Sequence, residues 1–500
     1  MSLMGVDVGT TGCKAAVFSE GGECLASAYR EYAPSYPRPG WVELDARKVM
    51  ECVRACIAEV AAASRADPVS ALSVSSMGEA AVPVTRERQI LGPSILSSDT
   101  RGGELLAPIT SAMSPLEFYQ INPNFIGPMY TLPKLLWLRE NDSQTYARAD
   151  KFLLWSDMVG FMLGCEPVVS YALANRTLLF DIRRQDWSDR LLELSGVERG
   201  KLPRCVPSGT VVGTVSAQAA GELGLPAGVK VVVGSHDQCC NSLGAGITRA
   251  GRAVCGIGTY ECITPTYDRI PPAEGLFAQG LNVEHHALPG LYVSFLYNQG
   301  GALVRWFRDT FAAGDKRRPR PGEDLYAALS AEMPPEPTAL YTLPYFEITG
   351  PPEYVADAAG AIVGLKMATT RGEVLKSIME CVTFYFVDMV QALRKMGLEA
   401  SEFVATGGGA KSDQWLQIKA DIFGVPLVRP KITEGSLLGA AILAGASTGA
   451  FASPEEAVSL LVKRDRVFTP DPRRHELYQQ RLAKYRQLFP LLREFLRGLR

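Results

Sequence analysis

The sequence predicts an α/β protein built as two similar lobes. Three observations carry this expectation. Five hundred residues exceed what one hydrophobic core usually holds. The first hundred residues alternate short β-type runs with a single helical run. A hairpin turning on Gly9-Thr10 is echoed by one turning on Gly258-Thr259.

The elements follow in order. "LMGVDVG" (3–9) and "CKAAVFSEGGECLASAYREY" (13–32) read as three strands of a meander, with "EGG" as the second turn. "DARKVMECVRACIAEVAAAS" (45–64) carries apolar residues at helical spacing, and "VSALSVSSM" (69–77) returns as a strand. That order is a mixed sheet with a helix across it. "VKVVVGSHD" (229–237) is a β-branched strand ending in polar residues, and it closes the first lobe near residue 245. "GRAVCGIGTYECITPT" (251–266) opens the second lobe with strand, Gly-Thr turn and strand. A long helix (372–397) then leads into "EFVATGGGAKSDQWLQIKADIFGVPLVRP" (402–430), a strand, a Gly-rich turn and a helix. The expected domains are 1–245 and 246–500.

Bulk properties narrow the class. With 51 basic and 53 acidic residues the net charge is −2, so no global field gathers nucleic acid or coats a membrane. Eleven cysteines are scattered without a CxxC pair beside only four histidines, which fits reduced thiols in a cytoplasm rather than a zinc or disulfide framework. Cys52 and Cys56 share one helix face, as buried small apolar residues do. No signal peptide is expected at the N-terminus. "LLGAAILAGASTGAFA" (437–452) is too short and too interrupted to span a bilayer and reads as a packed helix. The tail (471–500), with eight basic and three acidic residues, reads as an amphipathic helix on the body.

One residue stands out. Asp7 lies between Val6 and Val8 in a strand that ought to be buried, where a bare carboxylate is costly. The turn Gly9-Thr10-Thr11-Gly12 offers successive backbone N–H groups with little bulk, an anion-binding concavity. A four-residue turn would set Asp7 opposite Lys14. Either the two form a structural ion pair, or Lys14 meets phosphate oxygens while Asp7 holds a hydrated Mg²⁺, which needs only one or two carboxylates. Gly256, Gly258 and Thr259 form a second such turn. Gly407-Gly408-Gly409-Ala410, followed by Ser412, forms a third, where backbone can approach a flat ligand. Neither GxGxxG nor GxxxxGK[ST] occurs, which disfavours Rossmann and P-loop sites.

Five segments in this order resemble the FGGY family of carbohydrate kinases, within the actin/hexokinase/Hsp70 ATPase superfamily. They are "GVDVGTTGCKAAVF" (5–18), "MYTLPKLLWLREN" (129–141), "GIGTYECI" (256–263), "GGGAKSDQWLQIKADIFGVPL" (407–427) and "EGSLLGAAILAG" (434–445). The resemblance implies two ribonuclease H-like (actin-like ATPase) lobes with a cleft between them. It also implies ATP and Mg²⁺ as cofactors, a small sugar or polyol as substrate, a cytoplasmic setting and a homodimer.

Residue roles follow from it. "GSHDQCCNSLGAG" (234–246) is similar to the family's catalytic stretch and implies Asp237 as general base, the alternative being a helix N-cap. His236 is assigned to packing or substrate hydrogen bonding. In "SVSSMGEAAVPV" (73–84), Met77, Gly78 and Glu79 fall where the family meets substrate hydroxyls. Xylulokinases carry Gln-Met-His there and glycerol kinases Gln-Arg-Glu, so this chain keeps one residue of each. Glu79 is a hydroxyl acceptor or else an exposed turn glutamate. "SSDTRGGE" (97–104) keeps the family's Asp99 and Arg101, as substrate contacts or a structural ion pair, with Ser97 where a Trp is usual. In 344–365, Pro344, Tyr345, Asp357, Gly360 and Gly364-Leu365 match, whereas the Gly-Glu-Arg-x-Pro of many members is missing. The expected function is ATP-dependent phosphorylation of a terminal hydroxyl of a small ketose such as a pentulose. The alternatives are a polyol kinase and a non-catalytic sugar or nucleotide sensor.

Overall fold

The computed structural model describes residues 2–317, 324–352 and 354–499. Glu353 of the 344–365 segment and Arg500 of the tail lie outside the described residues. The first sheet runs in the order Val211–Thr214, Lys230–His236, Val69–Ser76, Ser2–Val8, Gly12–Ser19, Cys24–Glu31. Its last three strands are an antiparallel meander, and Ser2–Val8, Val69–Ser76 and Lys230–His236 run parallel.

The second lobe repeats this scheme. Ala253–Ile257 pairs antiparallel with Tyr260–Tyr267, which also pairs with Leu296–Gln299, and parallel with Phe403–Thr406. Leu427–Pro430 adds a parallel strand and Arg464–Phe468 an antiparallel edge. Both lobes thus have three antiparallel strands, two parallel ones and an antiparallel edge, the ribonuclease H-like order expected twice over.

Local chemistry explains the crossover helix of the first lobe. Asp45 caps Ala46–Ala63 by accepting from the backbone of Arg47 and Lys48, a feature worth about 1 kcal/mol. Val49, Val53, Cys56, Ile57 and Val60 form the buried stripe, with Cys52 beside them. Ser64 ends the helix by donating back to the Val60 carbonyl. In the second lobe the longer helix Arg371–Lys395 starts with a capping box of Thr370 and Glu373. The tail helix Pro472–Leu496 buries Tyr478, Leu482, Phe489 and Leu496 on the body.

The last parallel strand of each lobe feeds a helix, Asp237–Gly244 in the first lobe and Gly435–Thr448 in the second. These two helices cross at the junction in backbone contact. A Cβ on Gly244 would overlap the Gly435 carbonyl, and one on Gly439 would overlap the Cys240 carbonyl. The apolar run 437–452 is therefore a packed helix at the lobe junction as far as Thr448, with Gly449 as its C-cap. No helix among the described residues is long and apolar enough to cross a membrane. A separate apolar cluster, including Leu3, Cys239, Cys240, Leu438 and Ile442, sits under this crossing.

Candidate active site

Strand ends and helix starts bring five ionisable side chains together at the lobe junction. Asp237 is the first residue of its helix, with His236 as the N-cap position, and its side chain is 32% exposed. His236 Nε2 lies 3.4 Å from Asp237 Oδ1, and its Nδ1 donates to Glu284 Oε1 at 2.8 Å. Glu284, from the second lobe's edge strand, is fully buried and also accepts from the Cys239 thiol at 3.2 Å. Arg176 follows the helix Tyr171–Asn175. It donates through Nε to Glu79 Oε1 at 2.8 Å and again through Nη2, and its Nε lies 3.8 Å from Glu284 Oε2. The guanidinium sits 5.0 Å from the Tyr130 ring, and Nη1 reaches Asn124 at 3.4 Å.

The electrostatics follow from this packing. Burial pushes the Asp237 pKa above the usual carboxylate range, His236 opposes that, and Glu79 adds to it. Burial would lower the His236 pKa, but Glu284 and then Asp237 outweigh it and raise it. His236, Cys239 and Glu284 offer three ligand atoms within 4.8 Å of one another. Burial holds the Cys239 thiol pKa far above its usual value, so it acts there as a hydrogen-bond donor rather than a thiolate ligand.

The glycine turns occupy the facing lobe edges. Gly9 N donates to the Gly12 carbonyl at 3.0 Å, closing a tight turn with Thr10 and Thr11 exposed at its tip. Asp7 does pair in register with Lys14. The ammonium, however, reaches across the junction to Glu434 Oε2 at 2.5 Å, while Asp7 accepts from Ser75 Oγ at 2.7 Å. Burial, then Asp237, raise the Asp7 pKa to about 7. An acidic group short of a counter-charge, with a second carboxyl close by, fits a divalent cation.

On the second lobe a cavity of about 500 Å³ opens between Gly258-Thr259, the Gly408–Lys411 turn and the helices beyond. Val304, Leu329, Leu375, Met379 and Trp415 give it apolar walls, and Ser330, Gln414, Arg305 and Lys411 supply polar groups. Gly407 adopts φ +78°, the left-handed region glycine tolerates, and turns the chain under the cavity. Ser412 lines it and caps Asp413–Phe423 by accepting from Trp415 N at 3.3 Å. Gly256 and Ala410 lie behind the two turns, Ala410 fully buried. Beneath, Lys419 donates to Glu261 at 2.6 Å, both side chains fully buried.

Sequence-derived candidates thus fall into three groups. Glu79, Gly78, His236 and Asp237 are together: a Cβ on Gly78 would stand 3.3 Å from both Arg176 and His236 Nε2. Met77 is buried in the first lobe's hydrophobic core instead. Asp99 and Arg101 form a closed buried cluster of their own. Asp99 accepts from Val42 N at 2.6 Å and from Arg101, whose Nη1 lies 2.8 Å from Glu43. The Arg101 guanidinium stacks on Trp41 and Trp137, 4.0 and 4.7 Å from their ring centroids. Arg176 and Glu284 escaped the sequence reading. For Arg176 the signal was the one that marked Asp7, a lone charge in a largely apolar run ("YALANRTLLF", 171–180), whereas Glu284, beside two histidines in "LNVEHHAL" (281–288), carried no such mark.

The FGGY carbohydrate kinase model for the N-terminal domain matches residues 2–244, and that for the C-terminal domain matches residues 263–448. A xylulose kinase of Staphylococcus epidermidis is 28% identical over 492 residues, covering 97% of this chain and 96% of its own. An autoinducer-2 kinase of Escherichia coli is 29% identical over 511 residues, with 97% and 94% covered. The crystal structure of xylulose kinase from Rhodospirillum rubrum matches with a TM-score of 0.87 at 27% identity, covering 99% of this chain and all of that one. With both halves matched and relatives aligned over nearly their full length, this chain belongs to the FGGY family of carbohydrate kinases.

Proposed function

We propose that the protein transfers the γ-phosphoryl group of ATP to a terminal hydroxyl of a small ketose, a pentulose, with Asp237 as general base. The observation that carries this is Asp237 itself: partly exposed at the lobe junction, in contact with His236, and with a pKa raised toward that of a working base. The likeness to full-length xylulose kinases supports the pentulose.

The second-lobe cavity would take the nucleoside; about 500 Å³ lies within the usual range for small-molecule sites. The turns at Gly9–Gly12 and Gly256–Thr259 would hold the phosphates, with Lys14 leaving Glu434 to join them. Asp7 would hold Mg²⁺, which when bound would supply charge neutralisation for the phosphates. Asp237 takes the proton of the attacking hydroxyl as the P–O bond forms, and the rest is positioning and charge neutralisation. We assign the acceptor to lobe 1–245 and the nucleotide to lobe 246–500. Within the first, Glu79 contacts the sugar, while Met77 anchors the strand end that presents it. Asp99 and Arg101 hold the neighbouring loop. A cytoplasmic homodimer is the setting that the family likeness supports.

A polyol acceptor is the second reading, favoured by the Glu79 carboxylate at the junction. ADP release coupled to NADH oxidation, across C3–C7 ketoses, aldoses and polyols, separates the two. Asp237→Asn should lower kcat by about 10²–10⁴-fold. A mutant within tenfold of wild type would remove Asp237 from the chemistry.

A further inference from the structure

The acceptor end of the junction carries three carboxyl groups, Glu79, Asp237 and Glu284, against one guanidinium and one imidazole. Glu79 gives only Oε1 to Arg176; among the described residues its Oε2 accepts no hydrogen bond. Arg176 spends Nε and Nη2 on that carboxylate and has only the 3.4 Å contact from Nη1 to Asn124, so donor capacity remains. It is held there by Glu284 behind it and the Tyr130 ring beside it. It fits because residue 78 is glycine: any side chain at that position would meet the Arg176 stem and the His236 ring.

We infer that Arg176 determines acceptor specificity, fixing Glu79 to take sugar hydroxyls in a pocket whose excess of carboxyl groups admits neutral polyhydroxylated acceptors and rejects carboxylated or phosphorylated ones. The physical basis is like-charge exclusion in a partly buried site. A substrate carboxylate placed beside Glu79 and Asp237 is repelled by both, whereas a hydroxyl pair donates to the open Glu79 oxygen and accepts from Arg176. The charge of the guanidinium is already balanced by Glu79 and Glu284, so its remaining N–H groups can serve a hydroxyl while the site as a whole still repels an anion. This inference rests on the proposed kinase reaction and names the class of its acceptor.

The test measures kcat and KM for five-carbon ketoses and polyols and for the aldonic acids of the same carbon number. Wild type, Glu79→Gln, Arg176→Lys and Arg176→Met are compared. Wild type should prefer neutral acceptors at least 100-fold in kcat/KM. Glu79→Gln removes one carboxylate, leaves Arg176 available, and should narrow that preference at least tenfold. Arg176→Lys keeps the charge but loses the fork, and should raise acceptor KM at least tenfold with KM for ATP within twofold. It also covers the case in which Arg176→Met, which strands two buried carboxylates, fails to fold.

An aldonate used as well as the ketose, a preference untouched by Glu79→Gln, or an unchanged acceptor KM in Arg176→Lys would each overturn the inference while leaving the kinase reaction standing. No ADP formation with any sugar would overturn the underlying reaction and this inference with it.

Discussion

Replacing Asp7 by Asn should make the unliganded protein more stable and the enzyme nearly inactive. Asp7 is the one charged group in its strand, and the fold gives its carboxylate a single neutral donor, Ser75. Burial and the neighbouring Asp237 raise its pKa to about 7 from an unfolded value of 3.8. Because the folded value is raised, the fold favours the protonated form. The penalty is absent below the unfolded pKa, grows as pH climbs between the two values, and is constant above the folded one. At about 1.4 kcal/mol per tenfold, the full difference is worth about 4 kcal/mol, and partial exposure of the group reduces this to about 2–4 kcal/mol.

Differential scanning calorimetry in EDTA, without nucleotide, should therefore show Asp7→Asn melting about 5–10 °C above wild type at pH 8. Less than half of that gain should survive at pH 5, where wild-type Asp7 is largely protonated in the fold. With Mg²⁺ and ATP present, kcat of the variant should fall at least 10²-fold. A variant no more stable than wild type at pH 8, or a gain equal at both pH values, would show that Asp7 is not held under charge strain. Near-normal turnover at saturating Mg²⁺ would show that the strain serves no catalytic purpose.

The Lys14–Glu434 pair is half exposed, with side chains 38% and 57% accessible, so Glu434→Gln should change stability by under about 1 kcal/mol. It should leave KM for ATP equal or lower by freeing Lys14, whereas Lys14→Met should cut kcat/KM for ATP at least tenfold. A raised KM in Glu434→Gln would contradict the competition between carboxylate and phosphate. Behind the second-lobe cavity, Lys419→Met should destabilise the second lobe by about 3–5 kcal/mol, because it strands Glu261, whose Oε2 already lacks a partner among the described residues. Urea unfolding should show Glu261→Leu combined with Lys419→Met recovering much of that loss; a double variant as unstable as the single would exclude an ion-pair cause.

What the sequence disclosed was local. The meander on "EGG", the Asp45-capped helix, the three glycine turns and the oddity of Asp7 can each be read within about twenty residues, where periodicity and turn chemistry act. Partners are different. Lys14 faces Asp7 in the ladder, as the turn length required, yet its charge is satisfied by Glu434, 420 residues on. Arg176 and Glu284 join the Asp237–His236 cluster from segments 97 and 48 residues away from their partners Glu79 and His236. No spacing rule connects such positions. Asp99 and Arg101 stood open between substrate contact and ion pair, and two tryptophans from separate segments decide their surroundings by enclosing the guanidinium.

The crossing of the two lobe-joining helices explains why so many carboxyl groups are tolerated at one place. Ser436, in the first turn of Gly435–Thr448, donates to the Asp237 carbonyl at 3.3 Å, so the start of the second helix lies against the start of the first as well as against its end at Gly244. Each N-terminus carries unpaired backbone N–H groups and roughly half a positive charge. Asp237 begins one helix and Glu434 precedes the other, both at positions where a carboxylate is favoured. Asp7 projects toward this junction from the strand alone and has no helix of its own. Burial and the neighbouring Asp237 raise its pKa to about 7, and with no helix terminus to offset them Asp7 is the carboxylate with the most to gain from a cation. The glycines that let the helices touch therefore do more than pack the lobes together. A side chain at Gly244 or Gly439 would push the two helices apart and draw the start of Gly435–Thr448 away from Asp237, weakening the positive field where the proposed reading places the phosphates of ATP.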